Sequence, residues 1–410
     1  MIVRTSFKCL TCDQPHTVRI GMGQEEYQTH RFPCQRCGED MVIGMHVDYH
    51  KIGARPEAVE NAELTLEIKG APIVNVDANF SVPEDLRHKD FVFPRLGQVL
   101  AMGNAAEKAG SLIPVSSIPL GMMDERPFRR LDIAAEWRQL KKAWSLHRNG
   151  HYKLSNRRVA KASRVYYPSE PLNDLNDWLW RFVLFLGQPS YEPIFNSAFA
   201  EIDRLMGTPG FGNFIDYYED ELSIERGGRY FELMKAYFAA FSEYSQVYFY
   251  VSKGINVPDD NIASSTDFDA TRMFYGNAFE SFSSSVDILA YLNNLAMGRA
   301  FDKFQSMTRK KYLVLDKASR FNPFSMNEPF MALCEERDNQ LRNASHHGSF
   351  QFDAVKSVIT YRSGKGGTGP KQTLGYASYL ARCTKLFLQV TTLLRSEILM
   401  CHVTGKRLPL

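Results

Sequence analysis

The chain has 410 residues, 44% of them hydrophobic and 12% aromatic, which excludes a disordered or low-complexity protein and allows two or three domains with substantial cores. Its 49 Lys and Arg residues nearly balance its 46 Asp and Glu residues, so the net charge of +3 points to no class of partner. No apolar run approaches the roughly 20 residues that span a bilayer, no signal segment precedes the first motif, and the seven cysteines suit a reducing compartment. We therefore expect a cytoplasmic protein with no membrane association.

The first motif consists of two C-x-x-C pairs, Cys9 with Cys12 and Cys34 with Cys37. Each pair can direct two thiolates at one centre, and four thiolates complete a tetrahedron around Zn²⁺. The segments T-V-R-I, Y-Q-T-H-R-F and M-V-I-G-M-H-V predict three strands, so residues 1–50 resemble a zinc ribbon. Because four thiolates leave no open coordination position, we expect a structural zinc rather than a zinc enzyme. Disulfide redox chemistry would leave the second pair unexplained.

The other candidate metal ligands are interpreted as structural residues. His16 and His30 could substitute for a cysteine, but with four well-spaced cysteines we expect both at the surface. Cys334, Cys383 and Cys401 lie within helical patterns and are predicted to be buried small hydrophobes.

Residues 51–125 are predicted to be part strand and part linker. Apolar residues alternate over 64–68 and again over 74–80, a pattern typical of strands that would extend the ribbon sheet. Residues 81–125 are rich in Pro and Gly without a clear period, which predicts a linker with partial order.

Residues 126–224 are predicted to be helical and basic, with helices near 133–150, 174–187 and 193–206. Residues 126–164 contain twelve Lys and Arg residues against two acids, Asp132 and Glu136. This charge is typical either of a solvated helix face or of a surface that attracts phosphates. On the second interpretation, Arg157 and Arg158 are candidate RNA-binding residues.

Residues 225–410 are predicted to form a helical bundle. Apolar residues recur at helical spacing over 234–248, 279–292, 327–347 and 374–401, and a stripe of this kind is far more often core than cofactor contact. Asn327 is placed to cap the third helix, with Pro329 in its first turn. A small β-region followed by a mainly α bundle is an α+β fold.

The segment L-R-N-A-S-H-H-G-S-F, residues 341–350, ends the third of these helices. Arg342 follows the apolar Leu341 by about 100° around the helix axis, so its guanidinium leaves the edge of the buried stripe. Gly348 is suited to end the helix in a left-handed turn. His347 then occupies the last position before the break, where its ring can fold back towards Arg342.

This segment resembles the motif of HEPN domains, a family of helical bundles. The family motif is an Arg followed by a polar residue and, after four to six intervening positions, a His, commonly written R-N-A-x-x-H-G. The chain reads R-N-A-S-H-H-G and matches at Arg342, Asn343, Ala344, His347 and Gly348. A short strand pair and a long final helix after the motif are also similar to the family, and the resemblance covers about residues 225–405. His346, one position early, is the second candidate histidine.

The resemblance implies a metal-independent endoribonuclease, usually built across a two-fold homodimer in which two motifs line one cleft. Such cleavage deprotonates a ribose 2′-hydroxyl, stabilises a phosphorane and protonates the leaving 5′-oxygen. A histidine that titrates near neutrality can act as base or acid, Arg342 offers forked donors to phosphate oxygens, and Asn343 can orient a histidine or donate to the phosphate. The expected products are a 2′,3′-cyclic phosphate and a 5′-hydroxyl, and DNA should not be cleaved.

HEPN domains supply RNA-cleaving effectors in antiphage defence and toxin systems, so the resemblance implies three partners: RNA, a second copy of the chain, and a phage-derived trigger or regulatory protein. An Arg and a His near a helix C-terminus also complement the helix dipole without any catalysis. The alternative is therefore a noncatalytic module, in which the ribbon binds RNA or a protein partner and the bundle dimerises.

The segment K-G-G-T-G-P-K-Q-T, residues 365–373, is similar to a phosphate-binding P-loop but lacks its key residues. Pro370 precedes Lys371 and Gln372 follows it, where a P-loop has Gly and then Ser or Thr. Residues 374–410 are too few for an NTPase domain. We expect instead a glycine-rich turn between a strand and the last helix, as part of a mobile basic hairpin beside the cleft in which Lys365 and Lys371 contact RNA.

Overall fold

A computed structural model of the chain describes residues 2–21, 26–48, 53–77, 82–86, 89, 100, 103–104, 133–258, 261–263, 265, 268–346, 350–353, 356–364, 368–406 and 410. A small β-rich N-terminal region precedes a mainly helical C-terminal region, which confirms the α+β class. The linker predicted at residues 81–125 lies almost wholly outside the described residues.

The chain folds as two compact units, each drawn from three stretches. The first unit comprises Met1–Ser117, Ala240–Tyr275 and Asn343–Thr384, and the second comprises Ile118–Ala239, Gly276–Arg342 and Lys385–Leu410. The division into segments 1–50, 51–125, 126–224 and 225–410 was based on composition and motifs along the chain, and it stays a prediction.

The N-terminal part of the first unit contains two β-sheets. Their strands are β1 (Ile2–Cys9), β2 (Pro15–Gly21), β3 (Tyr27–Pro33), β4 (Asp40–Asp48), β5 (Gly53–Glu60), β6 (Ala62–Thr65) and β7 (Ile73–Asp77). One sheet has the order β6-β1-β2-β7 and the other β3-β4-β5. The three strands predicted for the ribbon are confirmed, and β5, β6 and β7 continue its sheets beyond residue 50.

The strand predicted at residues 64–68 is displaced towards the N-terminus, and the apolar residues that suggested it face solvent. The exposed fractions are 51%, 87% and 49% for Leu64, Leu66 and Ile68. The reason is that β6 ends at Thr65 and lies at the edge of its sheet. Val74 and Val76 in β7 are buried, whereas residues 78–80 lie outside the described part of the chain.

His16 and His30 are buried, so their expected place at the surface is wrong. Their exposed fractions are 0% and 1%, because each occupies an inward position of its strand. His30, for example, shares the inward face of β3 with Gln28 and Phe32. Burial lowers the pKa of His30 to about 4, so its ring is neutral at neutral pH.

The first unit also contains two smaller sheets. In one, β8 (Val82–Pro83) pairs with β9 (Asn261–Ile262). In the other, β10 (Gln351–Asp353), β11 (Val358–Arg362) and β12 (Lys371–Gly375) pair in chain order, all antiparallel. The strand and glycine-rich turn predicted before the last helix are therefore confirmed as a β11–β12 hairpin.

The helices, in chain order, are α1 (Ile133–Arg148), α2 (Tyr152–Tyr166), α3 (Leu175–Gly187), α4 (Glu192–Met206), α5 (Phe211–Tyr217), α6 (Ser223–Ala239), α7 (Phe241–Ser252), α8 (Phe268–Arg272), α9 (Phe274–Ser285), α10 (Asp287–Ala296), α11 (Arg309–Leu313), α12 (Glu328–Ala332), α13 (Asn339–His346) and α14 (Tyr376–Thr404). A π-helical turn, Tyr218–Leu222, and two 3₁₀ turns, Glu84–Leu86 and Ser319–Phe324, complete the described regular structure. The helices predicted near 133–150, 174–187 and 193–206 are confirmed as α1, α3 and α4.

Aromatic packing joins α1 to its neighbours in the second unit. Trp137 stacks on Phe238 and Phe182, with ring centroids 5.0 and 6.0 Å apart. The adjacent Glu136 carboxylate is buried, and it accepts hydrogen bonds from the Tyr167 hydroxyl at 2.7 Å and from Trp178 Nε1 at 2.9 Å. Glu136, the acidic residue of α1, is thus buried, and the charged side chains that α1 presents to solvent are basic.

A buried ion cluster connects α6, α10 and the C-terminal part of α14 in the second unit. The Arg226 side chain is 1% exposed; it donates to Glu397 Oε2 at 2.9 Å and to Asp287 Oδ1 at 2.6 Å. The Tyr218 hydroxyl donates to Glu397 at 2.7 Å. Burial alone would lower the pKa of Arg226, but Glu397 and the other neighbouring groups hold it well above its ordinary value.

Three helices predicted for residues 225–410 are each divided in two. The stretch 234–248 breaks between α6 and α7 at Ala240, and the stretch 279–292 breaks between α9 and α10 at Val286. The stretch 327–347 contains α12 and α13 with a non-helical connection. Across a break of one residue, the apolar side chains on either side keep nearly the same helical spacing. Periodicity alone therefore did not reveal the breaks at Ala240 and Val286. Asn327 caps α12 as predicted, accepting from the Phe330 amide at 3.2 Å.

The last helix, α14, has 29 residues. By length and composition it could cross a membrane, but 83% of its most apolar window is buried within the structure, as expected for a core helix. Cys383 and Cys401 on this helix are fully buried, as is Cys334, which confirms their predicted structural role.

Candidate functional site

The helix that carries the R-N-A-S-H-H segment is short and begins at a well-formed cap. The Asp338 carboxylate accepts from the backbone amides of Gln340 and Leu341 at 2.8 and 3.0 Å, which is the usual role of Asp at a helix N-cap. Leu341 and Ala344 are buried and fix the inward face of α13. The cap and these two residues therefore determine how the other side chains of the helix project.

Arg342 is the last residue of its stretch of the second unit, and its side chain is 23% exposed. Its guanidinium forms a hydrogen-bonded ion pair with the Glu280 carboxylate of α9. The guanidinium carbon also lies 6.0 Å from the centroid of the Phe279 ring. Arg342 is thus held in one orientation while part of it remains accessible to solvent.

Glu280 lies between two cations. Besides Arg342, the Lys317 amine is 3.7 Å from Glu280 Oε2 and donates to Ser284 Oγ at 2.5 Å. Burial, together with the nearby charges of Arg320 and Arg229, lowers the pKa of Lys317. One carboxylate therefore faces Arg342 and Lys317, with further arginines nearby, and the cluster has an excess of positive charge.

The remainder of α13, from Asn343 onward, belongs to the first unit. Ser345 is buried, and its hydroxyl donates to the Arg272 carbonyl at 2.6 Å. The Tyr379 hydroxyl donates to the same carbonyl at 2.9 Å. Asn343 and His346 are half-buried, and His346 Nε2 has no hydrogen-bond partner among the described residues.

His347 and Gly348 lie outside the described residues, as does Lys365. The structure therefore places three of the four candidate catalytic residues, Arg342, Asn343 and His346, on one helix of eight residues.

The described candidates for RNA contact are all exposed. Arg157 and Arg158 project from α2, which presents most of its circumference to solvent. Lys371 is the first residue of β12, and it pairs in register with the exposed Arg362 of β11. The described strands of the β11–β12 hairpin thus carry exposed basic residues, as predicted for the glycine-rich segment.

The four N-terminal cysteines lie together in the first unit. Cys9 Sγ is 3.8 Å from Cys37 Sγ, and Cys12 Sγ is 3.5 Å from Cys34 Sγ. All four sulfur atoms lie within 4.8 Å of one another, so together they could hold a metal ion.

Two similar turns present these cysteines. After the first pair, the Asp13 amide donates to the Cys9 carbonyl at 2.9 Å, and after the second the Gly38 amide donates to the Cys34 carbonyl at 3.0 Å. Asp13 and Gly38 both have positive φ, of 60° and 78°, which is why a glycine suits the second turn.

Asn61 connects the two turns. Its side-chain oxygen accepts from the Thr11 amide at 3.0 Å, and its amide nitrogen donates to the Asp40 carbonyl at 2.9 Å. His16 supports the second turn, because its Nε2 accepts from the Gln35 amide at 3.0 Å. Side-chain partners of this kind hold ligand-bearing turns in place.

Comparison with protein-family models, curated proteins and solved structures finds no match to this chain. Sequence reasoning missed Glu280, Lys317 and Asn61, which act through tertiary contacts with residues far along the chain. Nothing in the local sequence around them distinguishes them from ordinary polar residues.

Proposed function

We propose that this protein is a metal-independent endoribonuclease of the HEPN type. The observation that carries the proposal is that one capped helix of eight residues bears Arg342, Asn343 and His346 and leads directly to His347. Arg342 and His346 are four residues apart, the spacing that brings side chains to one face of a helix. A fixed cation next to a histidine is the minimum that RNA cleavage by 2′-hydroxyl attack requires.

Each residue has a role in that reaction. His347, or His346 in its place, removes the proton from the 2′-hydroxyl or donates one to the leaving 5′-oxygen. Arg342 binds the non-bridging phosphate oxygens, and Asn343 orients a histidine or donates to the phosphate. The products are a 2′,3′-cyclic phosphate and a 5′-hydroxyl. The reaction needs no other reactant, because the 2′-hydroxyl of the RNA itself is the nucleophile.

The charges around Arg342 support phosphate binding. Glu280 satisfies one side of the guanidinium and so acts as a positioning residue, while Lys317 restores the positive charge that Glu280 cancels. A charge-assisted hydrogen bond is worth about 1.5–3 kcal/mol, and loss of one donor to a developing oxyanion costs roughly 10²- to 10³-fold in rate. We therefore expect Arg342 to contribute mainly in the transition state.

The proposal includes the cellular role that the HEPN resemblance implies. The protein would act in the cytoplasm as an RNA-cleaving effector of antiphage defence or a toxin system, restrained until a phage-derived trigger or regulatory partner acts on it. A homodimer would bring two copies of the motif to one cleft.

The metal that the four cysteines could hold is proposed to be Zn²⁺, with a structural role. Zinc–sulfur bonds of about 2.3 Å in a tetrahedron require sulfurs about 3.8 Å apart, and the measured distances of 3.5 and 3.8 Å agree with this. Four thiolates fill the coordination sphere, so the ion would stabilise the two turns and take no part in RNA cleavage.

The second candidate is a noncatalytic module that binds RNA or a protein partner. The ion pair between Arg342 and Glu280 favours it, because an arginine that fixes a helix to its neighbour makes the same contact. The two candidates differ in RNA cleavage: a ribonuclease loses it when Arg342 is removed, whereas a noncatalytic module does not cleave RNA with or without Arg342.

The test is cleavage of labelled RNA by the full chain and by Arg342→Ala and His347→Ala, with Arg204→Ala and His151→Ala as matched controls at exposed positions. The proposal predicts that each motif variant loses at least 100-fold in rate while both controls keep full activity. Equal cleavage by all five proteins, or no cleavage by the wild type with its trigger present, would remove the catalytic claim.

A further inference from the structure

The helices α1, α2 and α6 of the second unit line an open surface depression of about 480 Å³, and four of its seven lining residues are basic. The polar lining residues are Lys141, Lys142 and Ser145 of α1, Arg158 of α2 and Lys235 of α6. We call this set the basic groove. Its lining contains no acidic residue, although it lies in a chain of nearly balanced charge.

The positive charge of the basic groove is not neutralised by the described protein. Within the described part of the chain, no ion pair ties Lys141, Lys142 or Arg158. Lys235 pairs with Glu232 at 3.0 Å, but both side chains are more than half exposed, and exposed pairs contribute little. Like charges gathered in a concave surface repel one another, and an anionic ligand relieves that repulsion.

The charge continues along α2 beyond the depression. Lys153, Arg157, Lys161 and Arg164 are all exposed on this helix, and α2 contains no acidic residue. From Lys153 to Arg164 the helix rises about 17 Å. That length is too great for one phosphate and suits several consecutive phosphates of an extended polynucleotide.

The floor of the groove is apolar and rigid. Phe231 is 7% exposed, the Trp144 ring meets it edge-on with centroids 5.1 Å apart, and the Arg148 guanidinium lies 4.9 Å from its centroid. Because so little of the ring is accessible, it cannot stack on a base. The groove therefore offers contacts to phosphates and few to bases, which predicts binding without sequence preference.

We propose that the basic groove binds the phosphate backbone of single-stranded RNA and holds the substrate for cleavage elsewhere on the protein. The choice of RNA rests on the proposed ribonuclease function, whereas the phosphate chemistry rests on the groove itself. The row of exposed cations from Lys153 to Arg164 on α2 favours a polynucleotide chain as the ligand.

The test is fluorescence anisotropy of a labelled 20-nucleotide single-stranded RNA with the full chain at 50 and 200 mM salt. The variant Lys141→Glu/Arg158→Glu is compared with Lys310→Glu/Lys311→Glu, which changes the net charge equally at two exposed lysines of α11 in the same unit. Melting temperatures show that all variants fold.

The proposal predicts at least a tenfold loss of affinity for the groove variant, and a salt slope smaller by about 1.4, since each phosphate contact contributes about 0.7. The control pair should lose less than threefold. Equal losses in both pairs would show a general charge effect and overturn the proposal. So would groove-dependent binding to vesicles of anionic lipid without binding to RNA.

The outcome is separable from the ribonuclease claim. Groove-dependent RNA binding by a protein that never cleaves RNA supports the groove and refutes the proposed function. Cleavage with unchanged binding by the groove variant does the opposite.

Discussion

Replacing Arg226 by methionine removes the cation of the buried cluster and keeps most of its volume. In the native protein the guanidinium makes three hydrogen bonds to the carboxylates of Glu397 and Asp287. At about 1.5 kcal/mol each, these amount to roughly 4–5 kcal/mol, in line with the 3–5 kcal/mol lost when one partner of a buried ion pair is removed. We therefore expect Arg226→Met to lower the free energy of unfolding of the second unit by about 4 kcal/mol.

Tryptophan fluorescence in urea measures this effect in the right part of the molecule. All four tryptophans of the chain, at positions 137, 144, 178 and 180, belong to the second unit. With a denaturant dependence of about 2 kcal/mol per molar, the transition should move down by roughly 2 M. The control is Arg204→Met, whose ion pair with Glu201 involves a 58% exposed arginine and should contribute less than about 1 kcal/mol.

Removing Arg226 leaves the buried carboxylates of Glu397 and Asp287 without their shared cation, which is the loss that the urea transition measures. A transition within 0.3 M of the wild type at pH 8 would refute the reasoning.

Four further results are expected. Elemental analysis should find one zinc per chain, absent from Cys12→Ser, and Cys12→Ser should lose the strands of the ribbon in circular dichroism. By NMR, the His30 ring should titrate near pH 4; since this is below its unfolded value of about 6.5, stability should fall by roughly 3 kcal/mol as the pH drops from 6.5 to 4. Asp338→Ala should cost about 1 kcal/mol and slow RNA cleavage. Glu280→Gln should lower kcat roughly tenfold with little change in KM, because Glu280 orients Arg342 without contacting RNA.

The parts of the fold that sequence predicted well are those with a local physical cause. The three predicted strands of the ribbon follow from the β-forming segments T-V-R-I, Y-Q-T-H-R-F and M-V-I-G-M-H-V, and the grouping of the four cysteines follows from their spacing. Asn327 was recognised as a cap because capping chemistry lies within four residues. Neighbouring residues in the sequence are enough to predict these features, without any tertiary contact.

The parts that sequence missed depend on tertiary contacts. His16 and His30 were expected at the surface because the four well-spaced cysteines left them no role as metal ligands, but each lies on the inward side of a strand. Glu280 and Lys317 are 62 and 25 residues from Arg342 along the chain, so their association had no local signature. The sequence shows the charge of the basic segment. The basic groove also includes residues of α6, and the packing of α6 near α1 has no signature in the sequence.

Attack by the ribose 2′-hydroxyl, the step proposed for this protein, is tested with an RNA that carries a single 2′-deoxy nucleotide at a mapped cleavage site. The wild-type chain should cut the all-ribose RNA to leave a 2′,3′-cyclic phosphate and a 5′-hydroxyl, and it should fail at the substituted position while still cutting elsewhere. Cleavage at the 2′-deoxy position, or fragments ending in a 3′-hydroxyl, would contradict the account.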